Sequence, residues 1–290
     1  GCGRKGLFLT MHEFEELDTL DGVSQGDVIE WVSENRISPW RTHGVVVTAD
    51  CDLAWNKHHG YVSYVPAWST GDFVWFHWRE LVLNKPCDEA FIKLARRLSV
   101  WREKANGGSI ISPEAARDWL RRAGAEGMLN ELGVSDKGER NTLIAIIERA
   151  VLLDAALTAT EIDFSLFAKA YAAAKSKQYD RDWFSKELAK MIDSLPGDIF
   201  HLPSLPNNED GDLFLMLRHI RQVRSEELTA RPDDVRTGAA RAKRIARVTA
   251  PYRYAITQNL GKIFSDIGLP DSYGERRGTS AERFCKTRVA

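Results

Sequence analysis

The spacing of apolar residues changes twice along this 290-residue chain. Short runs rich in β-branched and aromatic residues come first, apolar residues three and four apart follow, and strand-like runs return near residue 198. The chain is 43% hydrophobic and long enough to bury a sizeable core. This order predicts an α+β protein in which a helical segment interrupts one β domain.

Four short runs near the start are typical of strands. They cover residues 26–32, 44–48, 60–66 and 71–78, and turn-forming residues bound them. Strands that recur at intervals of about 15 residues favour a small barrel. We therefore assign residues 1–85 to the first part of a β barrel.

Residues 86–196 show the helical period instead. The apolar matches are Phe91, Leu94, Ala95, Leu98, Ala116, Trp119, Leu120, Ala123, Leu143, Ile146, Ile147, Ala150, Val151, Phe184, Leu188, Met191, Ile192 and Leu195. Ser112 followed by Pro113 is a strong helix start, with a hydroxyl at the N-cap and proline at the first helical position. We expect an all-α insertion of four or five helices.

The last segment, residues 197–290, combines both patterns. Residues 198–202 and 212–217 predict a β hairpin, which is too small to be stable alone in water. We expect it to return to the first strands and complete the barrel. A final helix is predicted over residues 254–267, ending before a Gly-Leu-Pro stop.

The net charge of −1 excludes polyelectrolyte classes but conceals a gradient. Residues 231–290 hold 13 Lys and Arg against 6 Asp and Glu, so this end is the expected contact for an anionic partner. At helical spacing several cations would share one face of a basic C-terminal helix and contact the phosphates of RNA or DNA. The predicted nucleic-acid-binding residues are Arg236, Arg241, Lys243, Arg244 and Arg247. A solvated helix face or an acidic protein partner explains the pattern equally well.

A second polar cluster surrounds the predicted strand 44–48. If residues 48–52 are extended, Asp50 and Asp52 project to one side, and with His43 and His58 they could hold a divalent ion or share acid and base roles. Arg41 would supply the cation over a scissile phosphate. The alternative is that both aspartates cap a turn through their own backbone while His58 lies in a solvated loop.

Aromatic residues are dense in the same part of the chain. They are Trp31, Trp40, Trp55, Tyr61, Tyr64, Trp68, Trp75 and Trp78. In a barrel most of them would pack in the core, and the remainder, beside Arg41 and Lys57, could stack on bases.

Several classes of protein lose their usual support. Walker, GxGxxG, HExxH and GxSxG motifs are absent from the sequence, so we expect no cofactor and assign no metal ligands. No run approaches the roughly 20 apolar residues that a membrane span needs. The four cysteines show no paired spacing, which favours a reduced, cytoplasmic protein without a membrane partner.

The stretch from Gly26 to Pro66 resembles the opening of the PemK/MazF plasmid-maintenance toxins. The shared features are the Gly26-Asp27-Val28-Ile29 run, Arg41 ahead of a valine-rich strand, and a later strand that ends at Pro66. The resemblance implies an SH3-like barrel. Arg41-Thr42 replaces the usual Arg-Pro step, and the long helical segment is foreign to that family.

Residues 48–53 are similar to a T-x-[DT]-C-D-[LI] strand end of poorly characterised bacterial proteins, some of which resemble components of phage-defence and conflict cassettes. This similarity implies a context and a protein partner encoded nearby. The leading hypothesis is an accessory or sensor/adaptor subunit of a phage-defence or toxin-like system that binds a protein partner, RNA or DNA. The alternative is a ribonuclease-like enzyme of the SH3-barrel toxin type. Its catalytic residues would be Arg41, His43, Asp50, Asp52 and His58.

Overall fold

A computed structural model describes residues 12–17, 22–32, 38–106, 110–206, 211–231, 234 and 241–265. The fold is mixed α/β, and its sheet is a curled antiparallel half-barrel. The chain divides into two compact units. One unit comprises Gly1–Trp68 and Pro196–Ala290, and the other comprises Ser69–Leu195.

The first unit contains the sheet. Its strands are β1 (Phe14–Glu15), β2 (Asp27–Trp31), β3 (His43–Val46), β4 (Tyr61–Ser69), β5 (Ile199–Leu202), β6 (Leu213–Met216), β7 (Arg221–Arg224), β8 (Leu228–Thr229) and β9 (Ala242–Val248). The order is β1-β9-β2-β3-β4-β6-β5, while β7 pairs with β4 and β8 with β9. The predicted strands near residues 28, 45 and 62 are confirmed. The hairpin β5–β6 joins the sheet beside β4. This pairing was expected, because a hairpin of two strands is too small to be stable alone in water.

The sheet is apolar on both faces. Alternate residues such as Val28, Val45 and Val65 belong to one buried cluster, which also takes Ile256 and Leu260 from helix α8 (Ala250–Ser265). Their neighbours point the other way and form a second cluster. It comprises Ile29, Val46, Val62, Tyr64, Val223, Leu228 and Ala242.

The basic segment before α8 is a strand, so the predicted basic helix is wrong over this stretch. In β9 the residues Ala242, Arg244, Ala246 and Val248 are buried while those between them are half-buried. This period of two suits a strand that pairs with both β1 and β2. The spacing of the cations alone did not predict this strand, because arginine is compatible with both a helix and a strand. Of the residues predicted for the helix face, Arg236 lies outside the described part of the chain.

The second unit contains most of the helices. They are α2 (Thr70–Phe73), α3 (Arg79–Asn106), α4 (Pro113–Glu131), α5 (Lys137–Thr158), α6 (Phe164–Ala174) and α7 (Arg181–Asp193). The predicted helical stretches in α3, α4, α5 and α7 are confirmed. Ser112 caps α4 as expected, its hydroxyl accepting a hydrogen bond from Ala115 N at 3.1 Å. Within the described ranges, no helix has the length and apolar character of a membrane span.

The strand predicted over residues 71–78 is wrong, because this stretch is helical. It begins with α2, continues as a π-helical turn (Val74–Trp78) and leads into α3. Ser69 Oγ accepts from Asp72 N at 3.1 Å, so the Ser-x-x-Asp spacing was a helix-start signal. The aromatic residues favoured a strand by propensity, but packing of Trp78 against Phe167 and Tyr171 decides the outcome.

Candidate nucleic-acid interface

The structure divides the five predicted catalytic residues between the two ends of β3. Arg41 and His43 lie at its start, whereas Asp50, Asp52 and His58 follow its end. A strand of four residues is about 10 Å long from first to last Cα. The five side chains are therefore not brought together as one acid-base site.

Asp50 and Asp52 lie on a short helix, α1 (Asp50–Ala54), so the extended geometry expected for them is wrong. Residues two apart on a helix do not share a face. Asp50 Oδ1 accepts from Gln25 N at 2.7 Å and its Oδ2 is 3.6 Å from Arg253. Asp50 thus connects α1 to the turn before β2 instead of capping its own turn.

The two predicted histidines have separate environments. His43 is 3% exposed within β3, and its Nε2 is 4.0 Å from Glu30 Oε1. His58 Nδ1 is 3.3 Å from the backbone carbonyl oxygen of Asp52. Burial keeps His43 away from a substrate in solution, and His58 contacts backbone instead of a carboxylate.

Two of the predicted nucleic-acid-binding arginines contact a buried carboxylate. Asp27 is fully buried, and it accepts from Arg247 Nε at 2.7 Å and from Arg244 at 3.0 Å. A register shift between Val28 and Ile29 lets both arginines lie on the face of Asp27. These side chains hold β2 against β9, so they are poorly available to a phosphate backbone.

The other two described residues of that predicted set lie at the start of the same strand region. Arg241 is exposed, and its Nε is 3.6 Å from Glu227. Lys243 is half-buried and lies opposite Glu30 in the sheet. Each therefore has an acidic residue close by, which lowers its attraction for an anion.

A different set of residues converges near the start of β3, and we call it the aromatic–arginine cluster. It comprises Trp31, Trp40, Arg41, Tyr64, Trp68, His219 and Arg221. The ring of Trp40 is 4.7 Å from Trp68 and 4.4 Å from His219, centroid to centroid. Trp31 is 5.7 Å from Tyr64 by the same measure.

Both arginines of the cluster lie against these rings. The Arg221 guanidinium is 5.2 Å from the Trp40 centroid, and that of Arg41 is 5.9 Å from the Trp31 centroid. These distances are within the range of cation–π attraction. The rings therefore help to hold both guanidinium groups in place.

Gly44 makes room for the central tyrosine. A Cβ atom at this position would lie 2.5 Å from Tyr64 Cδ2 and 3.2 Å from Ile29 Cγ1. The Tyr64 ring therefore leans across the backbone of β3 at a place where only glycine fits without a shift. This close approach fixes the ring of Tyr64 beside Trp31.

The positive charges of both arginines act on the hydroxyl of Tyr64. Burial raises the pKa of its hydroxyl, while the positive charges of Arg221 and Arg41 act in the opposite direction. The hydroxyl is therefore neutral at physiological pH. Arg221 lies directly opposite Tyr64 on β7.

The outer part of the cluster is open to solvent. Arg41 and His219 are exposed, and Trp31, Trp40 and Arg221 are half-buried. Tyr64 is only 2% exposed and forms the base of the cluster. In the part of the chain that the structure describes, no carboxylate oxygen lies within 4.0 Å of the Arg41 or Arg221 guanidinium. The exposed edge is thus positively charged and aromatic.

Part of this cluster was anticipated from the sequence. The density of aromatic residues beside Arg41 favours base stacking, and Trp31, Trp40, Tyr64 and Trp68 belong to the cluster. His219 and Arg221 were missed because they lie far along the chain. The run Arg221-Gln222-Val223-Arg224 has a single apolar residue, so no local pattern predicts this strand.

Comparison with known protein families, curated proteins and solved structures finds no match to this chain. Among the residues that the structure describes, no group of three His, Cys, Asp or Glu side chains could hold a metal ion. The chemistry of the aromatic–arginine cluster is therefore the main guide to function.

Proposed function

We propose that this protein is a binding subunit that holds single-stranded RNA or DNA at the aromatic–arginine cluster. The observation that carries the proposal is the placement of Arg41 and Arg221 against two partly exposed tryptophans beside Tyr64, without a nearby carboxylate in the described residues. Cationic groups that follow a phosphate backbone, combined with aromatic rings that stack on bases, are typical of single-strand binding.

Each part of the cluster has a distinct role in this proposal. Arg41 and Arg221 bind phosphate groups, and Trp31 and Trp40 offer π surfaces to unstacked bases. Tyr64 is a positioning residue, since its buried side chain lies opposite Arg221 in the sheet and packs against Trp31. Duplex bases stay stacked on each other, so a single strand suits these rings better than a double helix.

The resemblances in the sequence supply the proposed biological setting. The Gly26–Pro66 stretch supports an SH3-like barrel of the PemK/MazF type, and residues 48–53 support membership of a phage-defence or toxin-like system. In that setting the protein is a cytoplasmic accessory or adaptor subunit, and a protein encoded nearby is its partner.

Binding is favoured over catalysis by the placement of the ribonuclease residues. A phosphodiester cleavage site needs an acid, a base and a cation around one phosphate. Here Arg41 and His43 are separated from Asp50, Asp52 and His58 by the length of β3. We therefore retain the ribonuclease only as an outcome that the binding experiment can reveal.

The test measures binding of a labelled single-stranded RNA of about 16 nucleotides, the upper site size of one oligonucleotide-binding fold. The variant Arg41→Glu with Arg221→Glu is compared with wild type by fluorescence anisotropy at several salt concentrations. Lys137→Glu with Lys262→Glu is the matched control, because both lysines are exposed, neither belongs to the aromatic–arginine cluster and the charge change is equal.

We expect the cluster variant to bind at least tenfold more weakly and the control to stay within twofold of wild type. Loss of two phosphate contacts should also reduce the slope of log K against log salt by about 1.4. Equal weakening in both variants would mean a diffuse charge effect and would contradict the proposal. Cleavage of the RNA that Asp50→Ala abolishes would favour the ribonuclease.

A further inference from the structure

The helical unit contains a second feature of functional interest, a groove between α3 and α5. Its volume is about 570 Å³, and its lining includes Glu89, Lys93 and Arg97 from α3 and Ala145, Ile146 and Arg149 from α5. This volume lies within the range of small-molecule sites, roughly 300 to 1,000 Å³. None of these residues belongs to the aromatic–arginine cluster.

The α3 side of the groove carries two free cations. Lys93 and Arg97 are one helical turn apart, so their Cα atoms are separated by about 6 Å along the axis. Both side chains are exposed, and no carboxylate of the described residues lies within 4.0 Å of either. Their long side chains can converge on one phosphate group or contact two linked ones.

Arg149 adds a positive charge in a fixed position on the α5 side. Its guanidinium donates to the carbonyl oxygen of Ala174 at 3.2 Å and to Ser176 Oγ at 3.4 Å. Ala174 is the last residue of α6, where helix carbonyl groups attract cations. Since both acceptors are neutral, they hold the side chain without cancelling its charge.

The acidic residue on the lining does little to offset these charges. Glu89 is the only carboxylate among the described lining residues, and its Oε1 is 3.9 Å from Lys85. In the structure Glu89 is therefore paired with Lys85, one turn before it, and not with Lys93. Ala145 and Ile146 supply an apolar wall, so the groove combines a cationic side with a surface for an uncharged organic group.

We propose that this groove binds a phosphorylated small molecule of about mononucleotide size. Lys93 and Arg97 hold the phosphate, Arg149 contributes long-range attraction, and the wall of Ala145 and Ile146 contacts the organic part. A single ion would leave most of the volume empty, and a long strand would extend beyond it. The site is independent of nucleic-acid binding at the aromatic–arginine cluster.

The test is calorimetric titration of the full chain with AMP, ADP and inorganic phosphate. Lys93→Gln with Arg97→Gln is the groove variant. Arg96→Gln with Arg102→Gln is the control, because both residues are exposed on the same helix and neither lines the groove. Near-UV circular dichroism checks that every variant is folded.

We expect AMP or ADP to bind wild type, at least tenfold more weakly to the groove variant and within twofold of wild type to the control. Arg41→Glu with Arg221→Glu is titrated as well, because its effect shows whether the heat comes from the aromatic–arginine cluster. No heat with either nucleotide, equal losses in the groove variant and the control, or loss only in the Arg41 and Arg221 variant would overturn the proposal. Inorganic phosphate bound as tightly as AMP would contradict the role of the apolar wall.

Discussion

Replacing Asp27 by asparagine should destabilise the sheet unit more than any exposed charge change. The substitution keeps the size of the side chain but removes the carboxylate that accepts from Arg247 at 2.7 Å and from Arg244 at 3.0 Å. Asp27 is fully buried, and the side chains of Arg244 and Arg247 are only 5% and 16% exposed. Both guanidinium groups would then lose their ionic contact with Asp27 inside the protein.

The magnitude follows from this burial. Removing one partner of a buried ion pair costs about 3 to 5 kcal/mol, because the other charge stays desolvated. Since Arg247 keeps some access to water and asparagine retains one acceptor, we expect about 3 kcal/mol. With an m-value of about 2.5 kcal/mol per molar, the urea midpoint should fall by about 1.2 M.

Urea unfolding with wild type, Asp27→Asn and a matched control measures this loss. The control is Asp198→Asn, which removes the partner of Arg218 at 2.5 Å. The Arg218 side chain is 65% exposed, so that pair should contribute at most about 1 kcal/mol. Hydrogen exchange at the amides of β2 and β9 shows whether the loss is local to this part of the sheet.

A loss of stability in Asp27→Asn no larger than that in Asp198→Asn would contradict this prediction. Such a result would mean that solvent reaches Arg244 and Arg247 once the carboxylate is gone. Combining Asp27→Asn with Arg244→Met should recover part of the loss, because it removes a buried charge together with its partner.

Two further predictions concern the cluster and the helical unit. Gly44→Ala should weaken RNA binding several-fold, because the added Cβ displaces the Tyr64 ring. Gly197→Ala is the control and should bind like wild type, since no atom lies within 4 Å of its added Cβ. Unchanged binding in both variants would refute the role of the close approach between Gly44 and Tyr64. Burial and the Glu187 carboxylate raise the pKa of Tyr171 above its ordinary 10.0, so the folded state keeps a proton that the unfolded state loses. Wild-type stability should therefore decline above about pH 10 more steeply than that of Tyr171→Phe in thermal unfolding, and equal slopes would contradict this pKa shift.

Local sequence was sufficient for the elements with strong boundaries. Gly26 and Gly60 precede the runs that form β2 and β4, and Ser112 with Pro113 marks the start of α4. The expected end at Pro66 is wrong, because β4 continues to Ser69. The return of the hairpin to the sheet was also predictable, because two strands cannot bury enough surface alone. In each case a rule that acts within a few residues was enough.

The same rules failed where packing partners decided the structure. Residues 71–78 have strand-like composition but are helical, and Trp78 packs against Phe167 and Tyr171. Residues 242–248 have cations at helical spacing but form β9, whose arginines contact Asp27. Composition cannot distinguish these outcomes, since both aromatic residues and arginine are compatible with either element.

The sequence by itself determined which residue types were available for a site. They are basic and aromatic residues in predicted strands, with Arg41 among the tryptophans. Only the tertiary structure decided which of them meet. Strand β3 extends by about 3.3 Å per residue, so it separates Arg41 and His43 from Asp50. Antiparallel pairing of β4 with β7 places Tyr64 opposite Arg221, because cross-strand neighbours lie about 5 Å apart whatever their separation in the chain.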